Sequence, residues 1–220
     1  MEEYLQATYF INSDHPKVIA FASKNSESGD SNIKKAISLY YAVRDGIRYN
    51  PYSMEPGKES MKASSVLNKG NGYCVAKAVL LAACARRQKI PARLGLADVK
   101  NHLTTKRLMR LIGTDVYIYH GYTELFLNKK WVKATPAFNL ELCNNFNVRP
   151  LEFDGTKDSI FHPFDKSGNK HMEYVKDHGT FADLPWDRII SESKKSYPTY
   201  FEDLERRSKD FSAEALKENQ

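Results

Sequence analysis

A cysteine set behind a glycine-rich turn is the first place in this chain where chemistry could reside. In GNGYCVAKAVLLAACARRQKIPAR, residues 70–93, Cys74 follows Gly70, Gly72 and Tyr73 and opens a long apolar run that reads as a helix. The free N–H groups and partial positive charge of a helix N-terminus favour thiolate over thiol, which suits a nucleophile. Packing is the competing reading, because cysteine is among the most buried residue types. Cys84 illustrates it inside AVLLAACA, with apolar neighbours on every side, and Cys143 follows Leu142 with no chemical signal around it.

A thiol nucleophile needs a group that accepts and returns protons, and histidine is the usual one. Of the six histidines, only His120 lies in a regular strand pattern, YIYHGYTELFL. If Asn128–Lys129 is a two-residue turn, Leu127 opposes Lys130, Phe126 opposes Trp131, Glu124 opposes Lys133 and Tyr122 opposes Thr135. Opposed residues share a face, so Thr135 becomes a diagonal neighbour of His120. Two further groups have suggestive types. ADVKNHL, residues 97–103, sets Asp98, Asn101 and His102 just after a strand, where they either contact substrate or stabilise a turn. FHPFDKSGNKHMEYVKDHG gathers His162, Asp165, His171 and His178, but their spacing fits no zinc template. No metal and no cofactor is expected.

The elements that must position these residues emerge from pattern. SDHPKVIAFASKN predicts a short first helix capped by Ser13 or Asp14. A second, capped by Asp30 or Ser31, ends at Gly46, and Ala63 to Lys69 forms a helical turn before the glycine corner. The Cys74 helix runs to about Gln88, ahead of Ile90–Pro91. Strands are expected at 93–99, 115–127 and 130–134. After Ala137 the text is irregular and rich in Asn, Asp, Gly, Phe and His to about Pro185, as a lid or site wall would be. A last helix is expected from about Tyr200 to Leu216, anchored by Leu204, Phe211 and Leu216. Helices first and strands second argue an α+β fold in one domain over 1–220: a core at about 36–139, the loop-rich stretch at about 140–185 and a helical tail at about 186–220.

Composition narrows the function classes. Hydrophobic residues make up 41% of the 220, enough for a packed core. The excess of 33 basic over 27 acidic residues is scattered along the chain, so neither nucleic acid nor an extended charged partner is indicated. No apolar stretch approaches the roughly 20 residues that span a bilayer, and MEEYLQATYFINSDHP lacks the features of a signal peptide. Three cysteines are too few for a disulfide framework. A cytoplasmic protein without a membrane partner is the expectation; the oligomeric state is left open.

With these residues in view, NGYCVAKAVLLAACARRQKIPARLG followed by HGYTELFLNKKWVKATPAFN resembles the core of the transglutaminase-like superfamily of cysteine enzymes. The match covers roughly Ala36 to Asn139 and includes the preceding IRYNPY. The resemblance implies a papain-like α+β fold, N-terminal helices packed on a small antiparallel sheet, Cys74 as nucleophile and His120 as base. It also marks a departure. The superfamily's usual acid lies just before a proline after the tryptophan strand, where this chain has Thr135. A threonine can accept from the imidazole N–H but cannot stabilise an imidazolium by charge. Asn139 is the nearest amide that could orient the imidazole, with Asp154 and Asp98 more remote. The expected function is acyl transfer on a peptide, protein or small amide, with hydrolysis favoured over cross-linking. The alternatives are a binding module on the same fold and, more weakly, a structural partner that docks through its C-terminal helix.

Overall fold

A buried helix organises the molecule. The computed structural model describes residues 1–161, 165–168, 171–203 and 209–218. In chain order its main elements are α1 (Pro16–Lys24), α2 (Asn32–Gly46), β1 (Arg48–Tyr49), α3 (Ala63–Lys69), β2 (Asn71–Gly72), α4 (Cys74–Arg87), β3 (Ala92–Asn101), α5 (Lys106–Ile112), β4 (Val116–Leu127) and β5 (Lys130–Ala134). Then come α6 (Leu140–Asn145), β6 (Met172–Phe181), α7 (Trp186–Ser196), α8 (Pro198–Glu202) and α9 (Phe211–Glu218). Every residue of α4 except Arg87 is buried, as expected of a helix that is apolar all round. Helices α1, α2 and α3 pack on one side of it, and β3 and β4 on the other. The sheet is antiparallel in the order β5-β4-β3-β6.

Two buried cations on α4 tie its surroundings together. Lys77 Nζ donates to the carbonyls of Arg44 and Ile47 at the C-terminal end of α2, and burial pulls its pKa down to about 7. Arg86 donates to the carbonyls of Gln6, Ala92 and Ala182, joining three remote segments. Each removes orphan carbonyls that burial would otherwise make costly.

The predicted hairpin forms. Asn128 and Lys129 both take left-handed φ, 47° and 64°, the pair of conformations a two-residue turn between twisted strands requires. Phe126 pairs with Trp131 and Glu124 with Lys133. The ladder ends at Thr123–Ala134, however, so the predicted pairing of Tyr122 with Thr135 is absent. Thr135 N–H donates instead to Ser159 O, and Pro136, which has no N–H, cannot extend the strand.

Several boundaries differ from the sequence reading. His15, not Ser13 or Asp14, caps α1, its ring nitrogen accepting from Lys17 N–H because Pro16 occupies the first helical position. The stretch read as irregular contains α6 and the ten-residue β6, which adds an edge to the sheet beside β3. The expected helix from Tyr200 to Leu216 is two helices, α8 and α9, preceded by α7. Of its anchors, Phe211 is buried, Leu216 is exposed, and Leu204 lies outside the described residues. Among the described residues, no helix is long and apolar enough to cross a membrane.

Candidate active site

Cys74 is the first residue of α4, reached through a tight corner. Gly72 pairs with Tyr49 in a short parallel bridge, and a Cβ built on it would lie 2.9 Å from Ala76 Cβ. On the far side, a Cβ on Gly121 would lie 2.7 Å from Val75 Cα. Two glycines therefore let the first turn of α4 press onto β4 immediately beside His120. The N–H groups of Gly121, Val75 and Cys74 itself point at the sulfur.

Burial dominates the electrostatics of both groups. It pushes the Cys74 thiol up to about 11, against the three amides, which pull it down. It pulls the His120 imidazole down to about 3. At neutral pH the resting pair is therefore thiol and neutral imidazole, not an ion pair. Cys84, deeper in α4, is pushed up further, by burial alone. Cys143 is also buried, with its thiol raised to about 11.

Cys74 and His120 line one narrow, partly open cavity of about 60 Å³. Its walls are aromatic and aliphatic, with Asn101 and Ser193 as further polar residues. Among the described residues none of its lining side chains is an acid, a lysine or an arginine.

A bulge in the sheet presents His120. Ala97 pairs with His120 and Val99 with Tyr117, so Ile118 and Tyr119 together oppose Asp98. Tyr119 has a left-handed φ of 55°, unusual for a bulky side chain. Three elements hold that backbone. Asp98 Oδ1 accepts from Tyr119 N–H at 3.0 Å and pairs with His178 Nε2 at 2.6 Å. His178, on β6, stacks on the Tyr119 ring at 4.2 Å. Tyr197, just after α7, accepts from Ile118 N–H and donates to Val116 O.

The other predicted residues take different places. Thr135 is buried with its side chain beside the Tyr174 phenol, and among the described residues His120 Nε2 has no hydrogen-bond partner. Asn139 accepts from Tyr49 N–H through its Oδ1 and precedes α6. Asn101 lines the cavity, and its Oδ1 accepts from Leu103 N–H. His102 leaves the group, its Nε2 pairing with Glu173 at 2.7 Å. Asp154 caps a turn through Thr156 and Lys157. In the histidine-rich stretch, His171 packs against Phe138 and Phe161 while His178 joins Asp98, and His162 lies outside the described residues. Among the described residues no three His, Cys, Asp or Glu side chains converge on a metal site.

The sequence reading missed Tyr174 and the lining residues after Asn139. Tyr174 is on β6. The residue is partly exposed, but desolvation around its oxygen raises the phenol to about 12, while the Phe161 N–H and the Thr135 side chain lower it, so that oxygen sits beside the residue that replaces the usual acid. Phe161, Met172, Ile189 and Tyr197 complete the cavity. Their signal is only a scatter of aromatic and aliphatic residues through text without periodicity.

The model of the transglutaminase-like superfamily matches residues 19–136, more than half of the chain. A protein from Cytophaga hutchinsonii, named as a candidate cysteine protease and solved at 1.9 Å, is similar at 19% identity with a TM-score of 0.46. The similarity covers 60% of this chain and 40% of that one, so this chain spans well under two thirds of its length. No curated protein matches.

Proposed function

Since the chain belongs to the transglutaminase-like superfamily, we propose that it is a cysteine-dependent acyl-transfer enzyme that hydrolyses an amide bond, with Cys74 as nucleophile and His120 as base. One observation carries the reading: the Cys74 sulfur, met by three backbone N–H groups, shares a cavity with a neutral buried imidazole.

In this reading Cys74 sulfur attacks the amide carbonyl as His120 takes the thiol proton. The carbonyl oxygen becomes an oxyanion near the amides of Gly121 and Val75. Collapse breaks the C–N bond, and the amine leaves with the proton from His120. Water, deprotonated by the same imidazole, then attacks the thioester and releases the acid and the thiol. Starting from a neutral pair suits a low pKa at His120, since no buried charge need form before substrate arrives. The absence of carboxylates from the lining, among the described residues, favours water over an amine as acceptor, because nothing there would hold an ammonium group.

The test is turnover of a broad fluorogenic amide library by wild type, Cys74→Ala and His120→Asn. The expected outcome is activity in wild type and its loss by at least about 10²-fold in both variants. Equal traces from all three would refute the proposal. The threonine at position 135, in place of an acid, motivates a second reading, a binding module on the same fold. That reading requires ligand binding to survive in Cys74→Ala while no library member is cleaved by wild type.

A further inference from the structure

We propose that the cavity beside Cys74 is an acyl-side specificity pocket for an uncharged apolar group no larger than a single aromatic ring. The substrate is then an amide whose acyl half carries such a group. This rests on the acyl-transfer reading and goes beyond it by naming the substrate class.

The chemistry of the lining selects the occupant. Tyr117, Phe161, Met172, Ile189 and Tyr197 give it an aromatic and aliphatic wall, and the described lining contains no charged side chain. A carboxylate or ammonium entering it would shed its hydration and meet no counter-charge, which costs several kcal/mol by the general penalty for unpaired buried charge. An aromatic ring gains by burial and finds ring edges to pack against.

The mechanism decides which half of the substrate lies there. The amine half departs first and water must replace it, so that side of the sulfur has to stay open. The acyl half is held through both steps. The inner lining suits it: Val99, Ile189, Tyr197 and Tyr200 are all buried, and Tyr200 OH is tied to Pro51 O.

Much of this wall lies outside the superfamily match, which ends at residue 136. Phe161 and Met172 come from the segment leading into β6, and Ile189, Ser193, Tyr197 and Tyr200 from α7, α8 and their junction. The nucleophile and the base thus come from the matched region, and the selectivity from the segments C-terminal to it.

The experiment uses N-acetyl aminoacyl aminocoumarin amides bearing Phe, Leu, Ala, Gln, Lys or Glu. In parallel, thermal shifts of Cys74→Ala are measured with N-acetyl phenylalaninamide and the corresponding Glu amide. In wild type kcat/KM is expected to favour Phe and Leu over Ala by about tenfold or more, and over Lys and Glu by about 100-fold or more. The Phe amide, and not the Glu amide, should stabilise Cys74→Ala. Ile118→Phe, at a half-buried lining position, should narrow the pocket and reduce the Phe-to-Ala preference about tenfold. Leu216→Ala, at an exposed position on α9 outside the lining, should leave the order intact. A preference for Gln, Lys or Glu, or no preference together with no stabilisation, overturns the proposal. Stabilisation by the Phe amide without any cleavage leaves the pocket standing and sinks the acyl-transfer reading instead.

Discussion

At the level of single residues, the unusual feature is a buried imidazole, the proposed base, with no acid beside it among the described residues. Thr135 stands where the superfamily usually has a carboxylate, and among the described residues His120 Nε2 has no hydrogen-bond partner. A buried unsatisfied polar atom costs about 1–3 kcal/mol, and such a cost is characteristic of sites whose partner arrives with the reaction. The resulting neutral pair has two measurable consequences. Alkylation of Cys74 by iodoacetamide depends on thiolate, so with the thiol near 11 its rate should climb about tenfold per pH unit through the neutral range. A rate already level at mildly acidic pH, mapped to Cys74 by mass spectrometry, would instead reveal a preformed ion pair. Thr135→Asp should act in the opposite sense, supplying the charge that favours imidazolium. The acid limb of kcat/KM should move upward from about 3 towards the ordinary histidine range, and turnover at neutral pH should rise about tenfold. Denaturant unfolding should show a loss of about 1–3 kcal/mol for burying the new carboxylate. An unchanged pH profile would mean that residue 135 does not face the imidazole.

Among the elements, the bulge at Ile118–Tyr119 is what turns a strand into a site. Its backbone is held from β3 by Asp98, from β6 by His178 through Asp98 and the Tyr119 ring, and from the end of α7 by Tyr197. Asp98→Ala removes the acceptor for a buried N–H and should cost about 2 kcal/mol. It should also lower kcat about tenfold while KM stays within about twofold, because the inner wall of the cavity, on α7 and α8, is untouched. Asp98→Asn keeps an oxygen for Tyr119 N–H and should recover most of both losses. If Asp98→Ala loses stability but keeps full kcat per folded molecule, the bulge does not position His120. How legible these elements were depended on whether one face of each was buried. The Cys74 helix, the hairpin and its turn carry strong apolar or left-handed signals, and their residues were readable to within a position or two. Strand β6 was not, because Tyr174, Val175, Lys176 and Asp177 are exposed in succession and two register shifts break its alternation. Pairing with the edge of β3 makes it a strand; its own pattern does not. The same applies to Asp98, which sequence offered as a group near the imidazole and which acts on the strand that carries it.

For the molecule as a whole, α7, α8 and α9 are part of the body and not an appended tail. Trp186 packs towards Phe10, Phe211 sits among Tyr49, Tyr52 and Phe146, and Glu214 accepts from Tyr52 and Thr105. The walls that these segments contribute help to keep His120 from water, and that burial couples the site to global stability. The unfolded chain takes up a proton on this imidazole as pH falls through about 6.5, whereas the folded chain resists until about 3. Between those values the unfolded state binds more protons, so stability is lost as pH falls, by up to about 1.4 kcal/mol per pH unit from this group. Above the ordinary histidine range both states carry a neutral ring and the effect vanishes. His120→Gln has no titrating ring, so its stability should match or exceed that of wild type on the acid side of the window and lose less between neutral pH and about pH 5. Urea unfolding of both proteins at a series of pH values measures the difference directly. Curves that stay parallel over the window would show that the imidazole is already protonated, or already wet, in the folded protein, and the neutral-pair mechanism would fall with it.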